Sequence, residues 1–169
     1  ALRLLQAGST LRAQGRHEEA VDAFEQALII APSLAEAHHQ LGNALKTLNR
    51  HSEAAASLRR AAEIEPGNVH ALSDLGGLYL QLGQSDKALE SYQRAYESKP
   101  DHRDLLLNMA LIYSRNKGDN AKALELLRTF LAGNPEAQAA AAAKQEITRI
   151  EQAMKQPGGS LPNPSAAGR

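Results

Sequence analysis

Residues 69–102, VHALSDLGGLYLQLGQSDKALESYQRAYESKPDH, decide the fold, because the rest of the chain repeats their spacing. Gly76, Tyr79, Gly83, Ala88, Tyr92, Ala95 and Pro100 punctuate this stretch. Displaced by 34 residues, the same ruler meets Gly42, Leu45, Asn49, Ala54, Leu58, Ala61 and Pro66. One step further back it meets Gly8, Leu11, Gly15, Ala20, Phe24, Ala27 and Pro32. Downstream, Ala110, Tyr113, Gly118, Ala123, Leu127, Phe130 and Pro135 keep the order with one extra residue between Tyr113 and Ala123. A fixed period of this size marks a repeat architecture, in which each unit buries its core against its neighbours.

The ruler divides the chain into units 1–34, 35–68, 69–102 and 103–137, the last with the insertion. Each unit reads as two helices. In the first half, Leu72, Leu75, Gly76 and Tyr79 recur at helical spacing and form one apolar face. Gly83 or Asn49 then occupies a turn where a positive φ is tolerated, and a second periodic run follows through Ala88, Tyr92 and Ala95. The small sites let two helices approach closely, and bulky Leu, Tyr and Phe fill the neighbouring gaps. Pro32, Pro66, Pro100 and Pro135 close the units, because proline disfavours continuing one helix and suits the start of the next. Ser33 with Glu36 has capping-box spacing, and Asn134 is placed to cap the last helix.

Beyond the repeats, 138–156 reads as a capping helix. Its Ala-rich run has high helix propensity, with Ala143, Ile147, Ile150 and Met154 on one stripe and Lys144, Glu146, Arg149 and Glu151 off it. The remaining 157–169 is rich in Gly, Pro and Ser and reads as a disordered tail. Ala1 enters a helical pattern without a methionine or a capping residue before it, which predicts a fragment of a longer protein.

This small-and-large pattern resembles the tetratricopeptide repeat family over residues 1 to about 135. The usual aromatic near the start of each unit is replaced by Leu4, His38, Leu72 and Leu106, and the fourth copy departs further, with Ala110 for glycine and Phe130 for alanine. The resemblance implies an all-α, right-handed superhelical solenoid of antiparallel helix pairs. Its inner, concave surface would be lined by the first helix of each pair, and its function would be to bind a protein or peptide partner.

At about 100° per residue, the face opposite the core stripe carries the candidate groove residues. They are Gln6 and Ser9 in the first unit, and His39, Gln40, Asn43 and Lys46 in the second. The third adds His70, Ser73, Asp74, Gly77 and Leu80, and the fourth Asp104, Leu107, Asn108, Leu111 and Arg115. Gln6, Gln40, Asp74 and Asn108 occupy equivalent places. They form either a ladder for the main chain of an extended peptide or an ordinary solvated face. Gly77, Leu80, Leu107 and Leu111 form either an apolar anchor pocket or an extension of the core. Family members that hold the acidic tail of heat-shock chaperones use basic and amide side chains on this face. The matching places here hold Leu5, Ser9, Gln40, His70 and Asp74, which argues against that ligand.

Other functions find little support. Lysine plus arginine and aspartate plus glutamate each number 19, so no net charge draws the chain to nucleic acid or to an anionic membrane. Arg12, Lys46 and Arg115 are interrupted by Asp74 and Asp104, without an aromatic stacking platform. The apolar residues are periodic rather than continuous, which argues against membrane insertion. The absence of cysteine excludes disulfides and leaves cytoplasm and periplasm open, with the cytoplasm expected. There is no nucleophile motif, phosphate loop or HExxH, so the chain is not expected to be an enzyme or to carry a cofactor. His39, His70 and Asp74 could ligate a divalent metal, but a polar peptide groove explains them more simply. Two alternatives stay open. One is self-association through the end helices. The other is a substrate-selecting arm of a larger enzyme, because residues 37–66 are similar to repeats that precede the catalytic part of protein glycosyltransferases.

Overall fold

The computed structural model describes residues 1–155, so the expected disordered tail lies outside the described residues. Its helices are α1 (Leu2–Ala13), α2 (His17–Ile30), α3 (Ala35–Thr47), α4 (His51–Ile64), α5 (Val69–Gln81), α6 (Ser85–Ser98), α7 (Asp104–Ile112), α8 (Asn120–Ala132) and α9 (Ala137–Lys155). A π-helical turn, Tyr113–Lys117, follows α7. The described residues contain no strand. The chain forms two compact units, Ala1–Lys99 with α1 to α6 and Pro100 onward with α7 to α9.

In the first unit each helix packs on the next, α1 on α2, α2 on α3 and so on to α6, and the odd-numbered helices also touch one another. The core is therefore a strip. Val21 and Phe24 of α2 lead through Leu41 and Leu45 of α3 and Leu58 of α4 to Leu75 and Leu78 of α5. Burying side chains of this kind contributes roughly 1.5–3 kcal/mol each. The close approach within a pair falls where the first helix carries glycine. A Cβ on Gly42 would lie 2.6 Å from Leu58 Cγ, and one on Gly76 would lie 2.8 Å from the Tyr92 ring. Gly8 meets the Phe24 ring in the same way, so the expected small-against-large contact recurs in all three pairs of this unit.

The turns inside the pairs are set by backbone chemistry. Gly15, Asn49, Gly83 and Gly118 all adopt a left-handed φ, between 59° and 77°. After α1, α3 and α5 the chain closes with the same two bonds. Arg16, Arg50 and Gln84 donate their N–H groups to the carbonyls of Leu11, Leu45 and Tyr79, and Gly15, Asn49 and Gly83 donate to Arg12, Lys46 and Leu80. This is the Schellman arrangement, which satisfies carbonyls that a helix end would otherwise leave open.

In the second unit, α7 packs on α8 and α8 on α9. The extra residue of the fourth repeat takes the form of the π-helical turn. Gly118 keeps its left-handed conformation, and the closing bond now runs from Asp119 N–H to the Tyr113 carbonyl, one residue longer than its counterparts. A π-turn absorbs one added residue without ending the helix.

Several local expectations are corrected. The Ser33–Glu36 capping box does not form, because α3 begins one residue later, with Leu34 at its N-cap and no side-chain cap bond. Asn134 does not cap α9. It has a left-handed φ of 52° and donates its N–H to the Leu131 carbonyl, so it closes α8, while Glu136 accepts the first α9 bond from Ala140. Side-chain caps occur instead at Asn68 and Asp119, which accept from the Ala71 and Lys122 N–H groups. On α9 the buried residues are Ala143, Glu146 and Ile150, whereas Met154 is exposed. The buried stripe thus includes a carboxylate that the apolar pattern placed outside it.

The glycine contact gives a test. Gly42→Ala should destabilise the first unit by about 1–3 kcal/mol through overpacking, measured by urea unfolding. The same change in a Leu58→Ala background should cost at least about 1 kcal/mol less. Additive effects would show that the two residues do not limit how closely the helices approach.

Candidate functional site

The first unit gathers polar side chains from two successive first helices. His39, Asn43 and Lys46 lie one helical turn apart on α3 and converge on Asp74 of α5. His39 Nε2–H donates to Asp74 Oδ2 at 2.8 Å and Asn43 Nδ2 donates to the same oxygen at 2.9 Å. Lys46 Nζ reaches Oδ1 at 3.3 Å. The Asp74 side chain keeps 33% of its surface exposed. Burial works against its ionisation, but the hydrogen bonds from His39 and Asn43 and the Lys46 ammonium outweigh it and hold the carboxyl far below the usual carboxylate range. The same negative charge, after burial itself, raises the phenol of Tyr92.

His39 is buried beneath this cluster rather than turned outward with the groove residues. Its imidazole is a support for Asp74, and the Glu36 carboxylate stands 3.9 Å from its other ring nitrogen. Gln40 also differs from a free ladder rung. Its amide nitrogen donates to Glu36 at 2.5 Å, and its Oε1 is buried with no partner among the described residues. Gln6 and His70 are exposed, whereas Ser9, Asn43, Lys46, Ser73, Gly77 and Leu80 are half-buried. His39 and Asp74 meet, but among the described residues no group of three His, Cys, Asp or Glu side chains is arranged to hold a metal.

The second unit holds a different cluster. Glu146 of α9 is 4% exposed, yet it is bound on both oxygens. Oε1 accepts from Ser114 at 2.5 Å and from Arg149 Nη2 at 2.6 Å, and Oε2 accepts from Arg149 Nε at 3.0 Å and Arg115 Nη2 at 3.1 Å. Burial opposes its charge, and the bonds from Arg149, Arg115 and Ser114 prevail, bringing the carboxyl down to about 2. A cavity of about 420 Å³ lies alongside, lined by Leu107, Leu111 and Arg115 together with Ala142, Gln145, Glu146 and Arg149 of α9. Asn108 is half-buried and Asp104 is exposed in the first turn of α7. Sequence reasoning selected Leu107, Leu111 and Arg115 but missed Glu146, Gln145 and Arg149. The one signal pointing towards them was the inserted residue after Tyr113, which marks where the repeat changes its geometry.

Both carboxylates make stability fall in acid. Their folded-state affinities for a proton are depressed, so the stabilisation is complete above the ordinary carboxylate range and is lost as the pH falls through the folded value. For Glu146 the window runs from its ordinary 4.5 down to about 2, and stability should fall as the pH drops through it. Glu146→Gln should flatten the pH dependence of stability across that window. Carbon-13 NMR should show Glu146 titrating well below the exposed glutamates, and titration with them would contradict the network.

Three family models match the chain: tetratricopeptide repeat over residues 39–103, TPR repeat over 8–49 and tetratricopeptide repeat over 104–137. No curated protein matches it. Among solved structures it is similar to a crystal structure of MamA, at 26% identity and a TM-score of 0.74, over 78% of this chain and 76% of that one. A second MamA structure is 20% identical with a TM-score of 0.75, over 89% and 86% of the two chains. A tetratricopeptide repeat protein from Parabacteroides merdae ATCC 43184 is 20% identical with a TM-score of 0.80, and the match covers 89% of this chain and 59% of that one. The last two show the fold alone. Among the described residues no helix is long and apolar enough to cross a membrane. The family matches support a general role as a protein–protein interaction scaffold and point to a non-catalytic domain. With matches running from residue 8 to residue 137 over successive helix pairs, the chain belongs to the tetratricopeptide repeat family.

Proposed function

We propose that the chain holds a peptide segment of a partner protein against its first helices, with Asp74 at the centre of the contact in the first unit. The supporting observation is that three α3 side chains fix a part-exposed, ionised carboxylate on α5. An ionised acceptor held in one geometry loses little conformational freedom on binding, so its hydrogen bond to a partner donor is not offset by ordering the receptor. Ser73, Gly77 and Leu80 flank it on α5. The cluster also joins the inner faces of two successive repeats, so a segment crossing it meets one continuous, rigid surface.

The test uses random peptides displayed on phage and selected against the full chain. Selected peptides should bind Asp74→Asn about 10- to 100-fold more weakly, the range for losing a charged hydrogen bond. Glu90→Lys, an exposed change on α6, should leave binding unchanged. Circular dichroism on each variant separates loss of binding from loss of fold. Equal affinity for the parent and Asp74→Asn would overturn this placement of the contact.

A further inference from the structure

Resting on the peptide-binding reading above, the geometry of the second unit points to a specific pocket: we infer that the cavity between α7, its π-helical turn and α9 receives an Asp or Glu side chain of the partner segment, with a neighbouring aliphatic side chain beside it. Three observations lead there.

The first is charge. Two guanidinium groups, Arg115 and Arg149, meet a single carboxylate, and among the described residues no other acidic side chain lines the cavity. Among the described residues one positive charge is left without a counterpart at the cavity wall. Glu146 cannot serve a cationic ligand, because its two oxygens already accept four bonds from Ser114, Arg115 and Arg149. A carboxylate has about four acceptor sites, so this one is saturated. The guanidinium groups are not. Each has five N–H donors, and both side chains remain part-exposed, Arg115 at 49% and Arg149 at 38%. A fork of this kind suits a second carboxylate, which it can grip with paired, charge-assisted bonds.

The second is shape. Leu107 and Leu111 of α7 and Ala142 of α9 supply apolar wall, and the volume of about 420 Å³ falls in the range of small binding pockets. A carboxylate alone would leave that wall wet, whereas an adjacent aliphatic side chain covers it.

The third is the origin of the site. The fourth repeat alone carries an inserted residue, and the resulting π-turn bears Ser114 and Arg115, two of the groups that hold Glu146. The departure from the repeat and the cluster therefore lie at the same place in the chain. Single-turn π-bulges are frequent at functional sites. A partner segment running through a groove is internal to its chain, so the carboxylate is taken as an acidic side chain rather than a chain end.

The test is NMR titration of the full chain, labelled at its leucine methyl groups, with the capped dipeptide acetyl-Leu-Glu-amide. Saturable shifts confined to Leu107 and Leu111 are expected at concentrations on the order of millimolar. Acetyl-Leu-Gln-amide should bind about tenfold more weakly. Gln145→Glu lines the cavity with a carboxylate outside the Glu146 network and should abolish the shifts without loss of helicity. Arg115→Gln should erase the preference for Glu over Gln. If Arg115→Gln unfolds the second unit, Gln145→Glu alone decides. Equal binding of the two dipeptides, or no shift at all, overturns the pocket and leaves it a packing gap. A capped acetyl-Asp-amide that binds as well as the Leu-Glu peptide overturns the aliphatic part. These dipeptides probe the second unit, so their failure leaves the Asp74 contact standing, and the Asp74→Asn result leaves this pocket standing.

Discussion

The closeness of two helices at one point in each pair of the first unit is the constraint on which its other features rest. Gly8, Gly42 and Gly76 offer no side chain where Phe24, Leu58 and Tyr92 arrive, and a Cβ there would sit inside the van der Waals envelope of its neighbour. Because the large residue fills the space that the glycine leaves, the pair has one register, and the remaining apolar positions are set by it. Ala20, Ala54 and Ala88 are then completely buried, and so are Leu58 and Leu72. The core runs from helix to helix instead of converging on a centre, as expected where each repeat cannot bury its apolar face alone.

A scaffold of this kind leaves its first helices with a face that the core does not use. There on α5, and again on α9, the chain spends buried or half-buried charge. Asp74 and Glu146 each lose water, which disfavours ionisation, and each recovers it through several fixed donors. Breaking such a network would leave an uncompensated charge, so these clusters are costly to disrupt and hold their side chains in one arrangement. The two differ in what remains available. The Asp74 cluster gathers a histidine, an amide and an ammonium around one carboxylate that is still part-exposed. The Glu146 cluster uses up its carboxylate and leaves guanidinium surface facing a cavity. One repeat design thus yields two local surfaces of opposite character, each within its own compact unit.

Much of the fold was legible in the residues. The left-handed turns at Asn49 and Gly83, the helix pairs and the glycine contacts are all readable, because they are set by one residue's φ or by a pair one helix apart. The errors have local reasons. Ser33 lies one residue too early to cap α3, and cap geometry depends on the exact first turn. Glu146 falls outside the apolar α9 pattern because a lone glutamate reads as polar, and only its three partners make its burial tolerable. His39 reads as open-sided for a related reason, since nothing in its own helix announces an aspartate 35 residues later.

The period, the helices and the small-against-large packing follow from residue order alone, since they depend on interactions along the chain and between adjacent helices. Which polar side chains are spent and which stay available depends on how the helices pack. His39 meets Asp74, and Ser114 and Arg115 meet Glu146, only once the helices are rotated to particular angles. A repeat spacing fixes that two helices are neighbours. A hydrogen bond needs its atoms within about 3 Å and nearly aligned, a tolerance far finer than the spacing supplies.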